Sequence, residues 1–279
     1  MSREEREEGP IVSDRGPDDP VAAIIGGVHG DEPSGVRAVE SILHEIDAGM
    51  LTLDRGGRFI IAHPGAIATN RRFIEVDMNR SFPGDPSGAL EQRIAVAVCD
   101  AVANVPTLAL HATRSSGTPF AFASPHDPAA IDLARALSVE HLVLADGADI
   151  GSLSACGTVV TIEAGPQGSD RATRLARALA DEFLIATGVV EGEVHYHEPT
   201  VYEIGEEIDR PPGETYEVLV ENFERVGTGQ PFARVDETEL TAGEPFHPIL
   251  LSVDGYEDIF GFRGRKLADS PAELDTMTD

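Results

Sequence analysis

Two side chains that could bind a metal ion follow the first apolar stretch of the chain. Residues 21–28 are mostly Val, Ile and Ala, include two glycines near their end, and are followed by His29 and Glu32. Three positions apart in one tight turn, an imidazole nitrogen and a carboxylate oxygen can point at a common centre. They are two of the three protein ligands of a catalytic zinc site of the two-His, one-Glu type. The pair alone is a weak signal, because such a site also needs a third ligand, a base and an electrophile.

Two later strand ends offer the third ligand and the base. His111 follows the apolar run 107–110, and Glu163 follows residues 158–162, the strongest strand pattern in the chain. A histidine at a strand end is often only capped or solvated, and Glu163 could instead lie near the start of the next helix. Strand ends of an open α/β sheet form its ligand-binding crevice. We therefore predict that His111 completes the metal site and that Glu163 is a general base.

A long irregular segment, residues 69–85, offers groups that polarise a carbonyl or hold a carboxylate. We call it the arginine loop, because Arg72 and Arg80 lie in it together with Asn79. Exposed arginines are usually solvated charges, but a guanidinium can also hold a carboxylate through two hydrogen bonds, and a metal hydrolase needs such an electrophile and anchor. Two further histidines, His195 and His197, alternate on a predicted strand and have no third partner, so we interpret them as structural. Asp31 is assigned no role beyond the turn.

The elements that must position these residues alternate along the first two thirds of the chain. This alternation predicts an α/β fold with a mixed, mostly parallel sheet flanked by helices. The predicted strands are residues 21–28, 58–62, 107–110, 120–123, 142–144 and 158–162, and the predicted helices are residues 34–48, 89–102, 127–137 and 169–187. After residue 189 only short strands are predicted, at residues 194–204, 215–220, 231–235 and 248–253. This change of pattern predicts a small C-terminal all-β domain.

The same reading divides the chain into four parts. Residues 1–18 are predicted to be a flexible lead-in, 19–188 the catalytic domain, 189–266 the β-rich C-terminal domain, and 267–279 a disordered tail. The first ten residues are charged rather than apolar, so no signal peptide is predicted. No apolar run approaches membrane-spanning length. We therefore expect a cytoplasmic protein with no membrane partner.

Charge is the unusual property of the composition. Among 279 residues, 49 are acidic and 21 basic, the formal net charge is −28, and Lys266 is the only lysine. Such a charge disfavours nucleic-acid binding through phosphates. An acid-rich, lysine-poor composition resembles that of proteins from salt-accumulating halophiles, so we expect the fold to need salt screening. Cys99 and Cys156 have no metal or redox spacing, and no disulfide framework is predicted.

Taken together, four motifs resemble the succinylglutamate desuccinylase and aspartoacylase family, relatives of the zinc carboxypeptidases. They occur in the order of the family: Gly26-Gly27-Val28-His29-Gly30-Asp31-Glu32, then Arg72 with Asp77-Met78-Asn79-Arg80, then Leu110-His111, then Ile162-Glu163-Ala164-Gly165-Pro166-Gln167. The resemblance implies a zinc-carboxypeptidase-like fold with one zinc ion per chain, and a small C-terminal β domain over the site.

The resemblance also implies a role for each matching residue. It makes His29, Glu32 and His111 the zinc ligands, and it makes Glu163 the residue that activates water and then protonates the departing amine. Arg72 would polarise the scissile carbonyl. The Asn79–Arg80 pair would hold a substrate carboxylate, and Tyr256 is the candidate for a tyrosine contributed by the C-terminal domain. One departure is that aspartoacylases have a further arginine about ten residues before the catalytic glutamate, whereas residues 151–156 contain none.

The resulting hypothesis is a zinc-dependent deacylase that cleaves the amide, or alternatively an ester, of a small N-acyl amino acid bearing a carboxylate. Because the further arginine is missing, N-acetylaspartate is a poor candidate substrate, and the acyl group and amino acid stay open. Two alternatives remain: a metallocarboxypeptidase, and a non-catalytic protein that binds zinc or acyl-amino acids. Association with further copies of the chain is also left open.

Overall fold

The computed structural model describes residues 9–146 and 151–274. Within them the strands are β1 (Ile11–Arg15), β2 (Pro20–Gly26), β3 (Gly56–Ile61), β4 (Thr107–Thr113), β5 (Phe120–Ala123), β6 (His141–Leu144), β7 (Val159–Pro166), β8 (Thr200–Asp209), β9 (Tyr216–Val218), β10 (Pro231–Val235), β11 (Thr238–Thr241), β12 (His247–Ile249) and β13 (Ile259–Ala268). The helices are α1 (Pro33–Asp47), α2 (Pro64–Ala68), α3 (Leu90–Val102), α4 (Pro128–Arg135), α5 (Asp170–Ala186) and α6 (Pro271–Leu274). None of these helices has the length and apolar character needed to cross a membrane.

A ten-stranded mixed sheet runs through the molecule in the order β1-β3-β2-β4-β7-β5-β6-β8-β13-β12. Strands β3, β2, β4 and β7 are parallel to one another, and so are β5, β6 and β8. Because β5 is antiparallel to β7, the two parallel blocks point in opposite directions. The predicted fold class, a mostly parallel mixed sheet flanked by helices with a smaller antiparallel sheet near the C-terminus, is confirmed.

The central strands are apolar on both faces because helices cover both sides of the sheet. Ile24 packs in the cluster that contains α1 and α5 side chains, whereas its neighbour Ile25 packs in the cluster that contains α3 side chains. The start of α1 lies directly against the strands. A Cβ atom on Gly26 would lie 2.4 Å from the backbone of Gly35, and one on Gly35 would lie 2.5 Å from the carbonyl oxygen of Leu110. This close approach holds the beginning of α1 over the ends of β2 and β4.

The large sheet continues into the region after residue 189, which also contains the smaller antiparallel sheet. Strand β8 pairs in parallel with β6, and β13 and β12 extend the sheet further. Strands β9, β10 and β11 form the second, antiparallel sheet with its own apolar cluster, which includes Phe232 and Phe260. The predicted boundary at residue 189 therefore marks a change of sequence pattern that the sheet crosses. The division into domains stays a prediction.

Two segments predicted to lack structure contain regular elements. Within the predicted lead-in, residues 1–18, β1 pairs with β3, and the carboxylate of Asp14 lies 2.8 Å from Arg58. Within the predicted tail, residues 267–279, β13 continues to Ala268 and α6 follows. Both predictions are wrong over these residues, because the pairing of an edge strand comes from backbone hydrogen bonds that an exposed, mixed sequence does not reveal. Residues 1–8 and 275–279 lie outside the described part.

The two cysteines also differ from the prediction. Cys99 on α3 and Cys156 are joined by a disulfide, with their Cα atoms 5.1 Å apart. The prediction that these cysteines form no disulfide is therefore wrong. A separation of 57 residues carries no local signal, and only the packing of α3 against the turn Leu153–Cys156 brings the two sulfurs together.

Candidate functional site

The predicted metal ligands come together at the carboxyl ends of β2 and β4. Glu32 is the residue that precedes α1, and its carboxylate lies between two histidines: Oε1 is 2.7 Å from His29 Nδ1, and Oε2 is 3.0 Å from His111 Nδ1. All three side chains are buried. One potential ligand atom from each lies within 4.8 Å of the others. Two imidazoles and a carboxylate are the ligand set of many catalytic zinc sites, so the residues fit a bound metal.

Within this group, the pKa values of Glu32 and His29 depend on each other's charge. Burial alone would raise the pKa of Glu32, but the charges of His29 and His111 and their hydrogen bonds hold it well below its usual range. Burial lowers the pKa of His29, but Glu32 and Asp77 outweigh it and raise that pKa to about 9. The Glu32 carboxylate is therefore ionised, as a metal ligand must be.

Asp77 links the histidine to the arginine loop. Its Oδ1 lies 3.2 Å from His29 Nε2, and its Oδ2 accepts a 3.0 Å hydrogen bond from Arg72 Nε. Arg72 Nη1 also lies 3.4 Å from Glu32 Oε1. These contacts lower the pKa of Asp77 despite its burial. A carboxylate that orients a metal-binding histidine is a recurrent second contact in metal sites. The sequence pattern included Asp77 without assigning it this role.

The predicted carboxylate anchor, Asn79 and Arg80, follows Asp77 directly in the same loop. Asp77 precedes a short 3-10 turn, Met78–Arg80, and its side chain accepts the backbone N–H of Asn79. Arg80 is exposed, and its Nη1 donates to the carbonyl oxygen of Asn79 at 3.0 Å. The guanidinium of Arg80 thus faces solvent beside the buried network.

Glu91 holds the arginine loop in place, and the sequence reading missed it. This buried carboxylate on α3 accepts the backbone N–H groups of Ile74 at 2.6 Å and of Glu75 and Val76 at 3.1 Å. It also lies 3.1 Å from His63 Nε2. Burial raises the pKa of Glu91, but these hydrogen bonds outweigh it, so the pKa is lowered. Successive N–H groups form an anion-binding concavity, and here a side chain fills it. No spacing in the sequence connects these positions.

Glu163 lies on β7 beside the metal ligands. It is in register with His111 on β4, and its Oε2 atom is buried without a hydrogen-bond partner in the described residues. Burial raises its pKa to about 8, and the charge of Glu32 adds to this, while His29 and Arg72 act in the opposite direction. A carboxyl group whose pKa lies near neutrality can both accept and return a proton.

A cavity of about 820 Å³ connects these residues. Seven of the eight predicted site residues line it, namely His29, Glu32, Arg72, Asn79, Arg80, Glu163 and Tyr256. The eighth, His111, lies against Glu32. Tyr256 is half-buried, and burial raises its pKa to about 12. Ser152 and Ser154 line the cavity in the segment where the resemblance leads one to expect an arginine.

The structure does not place the remaining histidine pair at this site. His195 and His197 precede β8 rather than lying within a strand. His195 is exposed, and His197 Nε2 lies 3.3 Å from Ser138 Oγ. Their surroundings agree with the structural interpretation.

The residues of this site lie largely within the part of the chain that matches a known family. Residues 18–185 match the family model described as the succinylglutamate desuccinylase/aspartoacylase catalytic domain. The chain belongs to this family. The matched range includes the metal-ligand group, the arginine loop and Glu163, whereas Tyr256 lies beyond it.

One curated relative and several solved structures match most of the chain. N-alpha-acetyl-L-2,4-diaminobutyric acid deacetylase of Halomonas elongata is 30% identical over 255 residues, which cover 77% of this chain and 70% of the relative. The crystal structure of a succinylglutamate desuccinylase/aspartoacylase from Rhodobacter sphaeroides superposes with a TM-score of 0.75 at 19% identity, covering 92% of this chain and 88% of that one. A product-bound structure of the ectoine utilization protein EutE (DoeB) from Ruegeria pomeroyi gives 0.70 at 22% identity, covering 91% and 88%. At these identities the two structures show a shared fold.

Proposed function

We propose that this member of the family is a zinc-dependent hydrolase that cleaves the amide bond of small N-acyl amino acids. The observation that carries the proposal is the position of Glu163, whose buried Oε2 has no hydrogen-bond partner in the described residues, in the same cavity as the His29–Glu32–His111 group and the Asn79–Arg80 pair. A base, a metal-ligand set and a carboxylate anchor around one cavity are the parts that hydrolysis of an acyl-amino acid needs.

A zinc ion held by His29, Glu32 and His111 would act as a Lewis acid and lower the pKa of a water molecule. Glu163 takes a proton from the water that attacks the scissile carbonyl carbon. A carbon–oxygen bond forms, the carbon–nitrogen bond breaks, and Glu163 returns the proton to the departing amine nitrogen. Arg72, oriented by Asp77 at 3.0 Å, donates hydrogen bonds to the carbonyl oxygen as it gains negative charge.

The Asn79–Arg80 pair supports the choice of a carboxylate-bearing substrate. Arg80 is exposed beside the cavity, and a guanidinium can hold a carboxylate through two parallel hydrogen bonds. Tyr256, from the C-terminal region, lines the same cavity. The name of the Halomonas relative makes N-acetylated amino acids, and acetylated diamino acids in particular, the first substrates to test.

The test is a hydrolysis screen of zinc-loaded protein in high KCl with acetyl-, succinyl- and other acyl-amino acids, with release of the free amine as the readout. We expect turnover of at least one N-acyl amino acid and none after the metal is removed with a chelator. Faster hydrolysis of peptides than of acyl-amino acids would instead favour a carboxypeptidase. Stoichiometric zinc binding without any turnover would instead favour a non-catalytic protein that binds zinc or acyl-amino acids.

A further inference from the structure

One side of the cavity is apolar and has no part in the mechanism above. It is formed by four half-buried side chains, which we call the apolar wall: Phe122, Ile204, Leu250 and Phe262. All four pack on a buried cluster made of Phe120, Val143, Tyr202, Phe223 and Ile249. The apolar wall is therefore the cavity-facing surface of a packed core, which makes it a firm contact surface.

The apolar wall begins next to the general base. In the pairing of β5 with β7, Phe122 is in register with Thr161, two residues before Glu163. Residues in register on paired strands lie on the same face of a sheet, as do alternate residues along one strand. Thr161, Glu163 and Phe122 all line the cavity. A substrate whose scissile bond lies at Glu163 can therefore contact the apolar wall in the same cavity.

At its other end, the apolar wall reaches the tyrosine near the carboxylate anchor. The rings of Tyr256 and Phe262 lie 5.8 Å apart in an edge-to-face arrangement. The charges of both Arg80 and Glu163 act on the phenol of Tyr256. A molecule held by its carboxylate at Arg80, with its amide at Glu163, would carry its remaining substituents along the apolar wall.

Leu250 supplies an independent sign that this wall is functional. Its φ angle is 55°, in the left-handed region that bulky residues rarely adopt. A Cβ atom on Gly261 would lie 2.8 Å from the carbonyl carbon of Leu250, so glycine at position 261 leaves space for this backbone. Residues kept in such conformations cluster at ligand-binding sites, and Leu250 is one of the residues that line the cavity.

The charges around the cavity fit an apolar substituent better than a second carboxylate. Within the described residues, the arginines that line the cavity are Arg72, Arg80 and Arg114. Arg72 is bound to Asp77 and Glu32, and Arg114 Nε donates to Gln167 at 2.8 Å. Two acids of the C-terminal region, Glu207 and Asp254, also line the cavity and would repel a further anionic group. Glu207 is in register with Phe262 of the apolar wall.

We propose that the apolar wall is a specificity subsite that binds an apolar substituent of three or more carbons on the N-acyl amino acid, carried either on the acyl group or on the amino-acid side chain. This inference rests on the proposed function. The two sources share one chemistry, a hydrocarbon chain leaving the region of the scissile bond, and they are separated by experiment.

The test measures kcat/KM of the zinc-loaded protein on two substrate series. One keeps the acetyl group and lengthens the side chain from alanine to norvaline and norleucine, and the other keeps alanine and lengthens the acyl group from acetyl to butyryl and hexanoyl. We expect one series to gain about fourfold per added methylene, the effect of burying that group. Flat or falling values in both series, or a preference for succinyl substrates, would overturn the inference while leaving the hydrolase assignment intact. If no substrate is hydrolysed, the proposed function itself fails.

The variant Leu250→Asn tests the apolar wall directly, because asparagine tolerates a positive φ and makes the surface polar. We expect the protein to fold and the gain per methylene to fall below twofold. The matched control is Leu240→Asn, the same change at a half-buried position of β11 outside the cavity. The inference is wrong if the two variants show the same dependence on chain length.

Discussion

Around the carboxyl ends of β2, β4 and β7 the cavity is lined mainly by charged side chains, several of them bonded to one another, whereas over β5, β8 and β13 it is lined by half-buried apolar ones. The first region joins His29, Glu32, His111, Asp77 and Arg72 in one network. Removing one member of such a network leaves a buried charge without its partner, which is costly. The second region can only bury apolar surface of a substrate, and the free energy gained increases gradually with the buried area. Under the proposed function, the first region would determine which reaction is possible and the second which substrate is preferred.

The largest effect is expected from the substitution Glu163→Gln, which removes the proposed base while keeping the shape of the side chain. We expect kcat to fall by about 10²–10⁴-fold, the usual contribution of general acid–base catalysis, while bound zinc measured by elemental analysis is unchanged. Glu206→Gln on β8, an exposed position, is the control and should retain turnover. Wild-type rates for Glu163→Gln would show that another group is the base.

Removing a ligand should affect the metal rather than only the rate. In His111→Ala the Glu32 carboxylate loses a 3.0 Å partner, and zinc affinity should fall by more than about 100-fold, beyond the cost of losing an outer partner. Competition with a chromophoric chelator measures it. His195→Ala, at an exposed position, should bind zinc like the wild type; equal affinities for both variants would refute the ligand assignment.

A smaller effect on kcat/KM is expected from changing Glu91, which holds the loop that carries Asn79 and Arg80. Glu91→Gln replaces an acceptor of several backbone N–H groups by a side chain with only one oxygen, so the arginine loop should lose its fixed position. We expect kcat/KM to fall by about 10- to 100-fold, the cost of one charge-assisted hydrogen bond, with zinc binding retained.

Comparing two substrates, an N-acyl amino acid and its amide, distinguishes a positioning role of Glu91 from a merely structural one. Amides of the best N-acyl amino acid lack the carboxylate that Asn79 and Arg80 would bind, so their kcat/KM should fall less in Glu91→Gln than that of the acid. Asp100→Asn, an exposed change on the same helix, is the control. An equal loss on acid and amide would show that Glu91 supports the fold without positioning the anchor.

The weakest effect concerns the acidic surface, which surrounds both regions. With a net charge of −28, added KCl should screen self-repulsion and raise the melting temperature, by roughly 2–4 °C for each kcal/mol of stability gained. The buried network is screened much less, so zinc affinity should change little over the same range. Calorimetry and zinc titration from low to high KCl measure both, and a melting temperature that does not rise would contradict the halophilic interpretation.

Much of the first region was predictable from sequence because each of its parts is local. An apolar run followed by a turn with His29 and Glu32 is a strand delivering side chains to a helix start, and Glu163 follows another strand in the same way. The second region was only partly predictable. Tyr256 was expected to reach the site from the C-terminal region, but the apolar wall was not recognised, since apolar strand residues look alike whether they face a core or a cavity.

Local sequence patterns are enough to predict the alternation of the central strands and helices, the types of the candidate site residues and their family, because period, turn chemistry and motif spacing are properties of neighbouring residues. Only the folded chain shows that β8 extends the main sheet, that Glu91 holds the arginine loop, that Cys99 meets Cys156, and that Leu250 lines the cavity. Each of these joins positions far apart in the chain, and their proximity follows from how the sheet and helices pack, which no short stretch of sequence specifies.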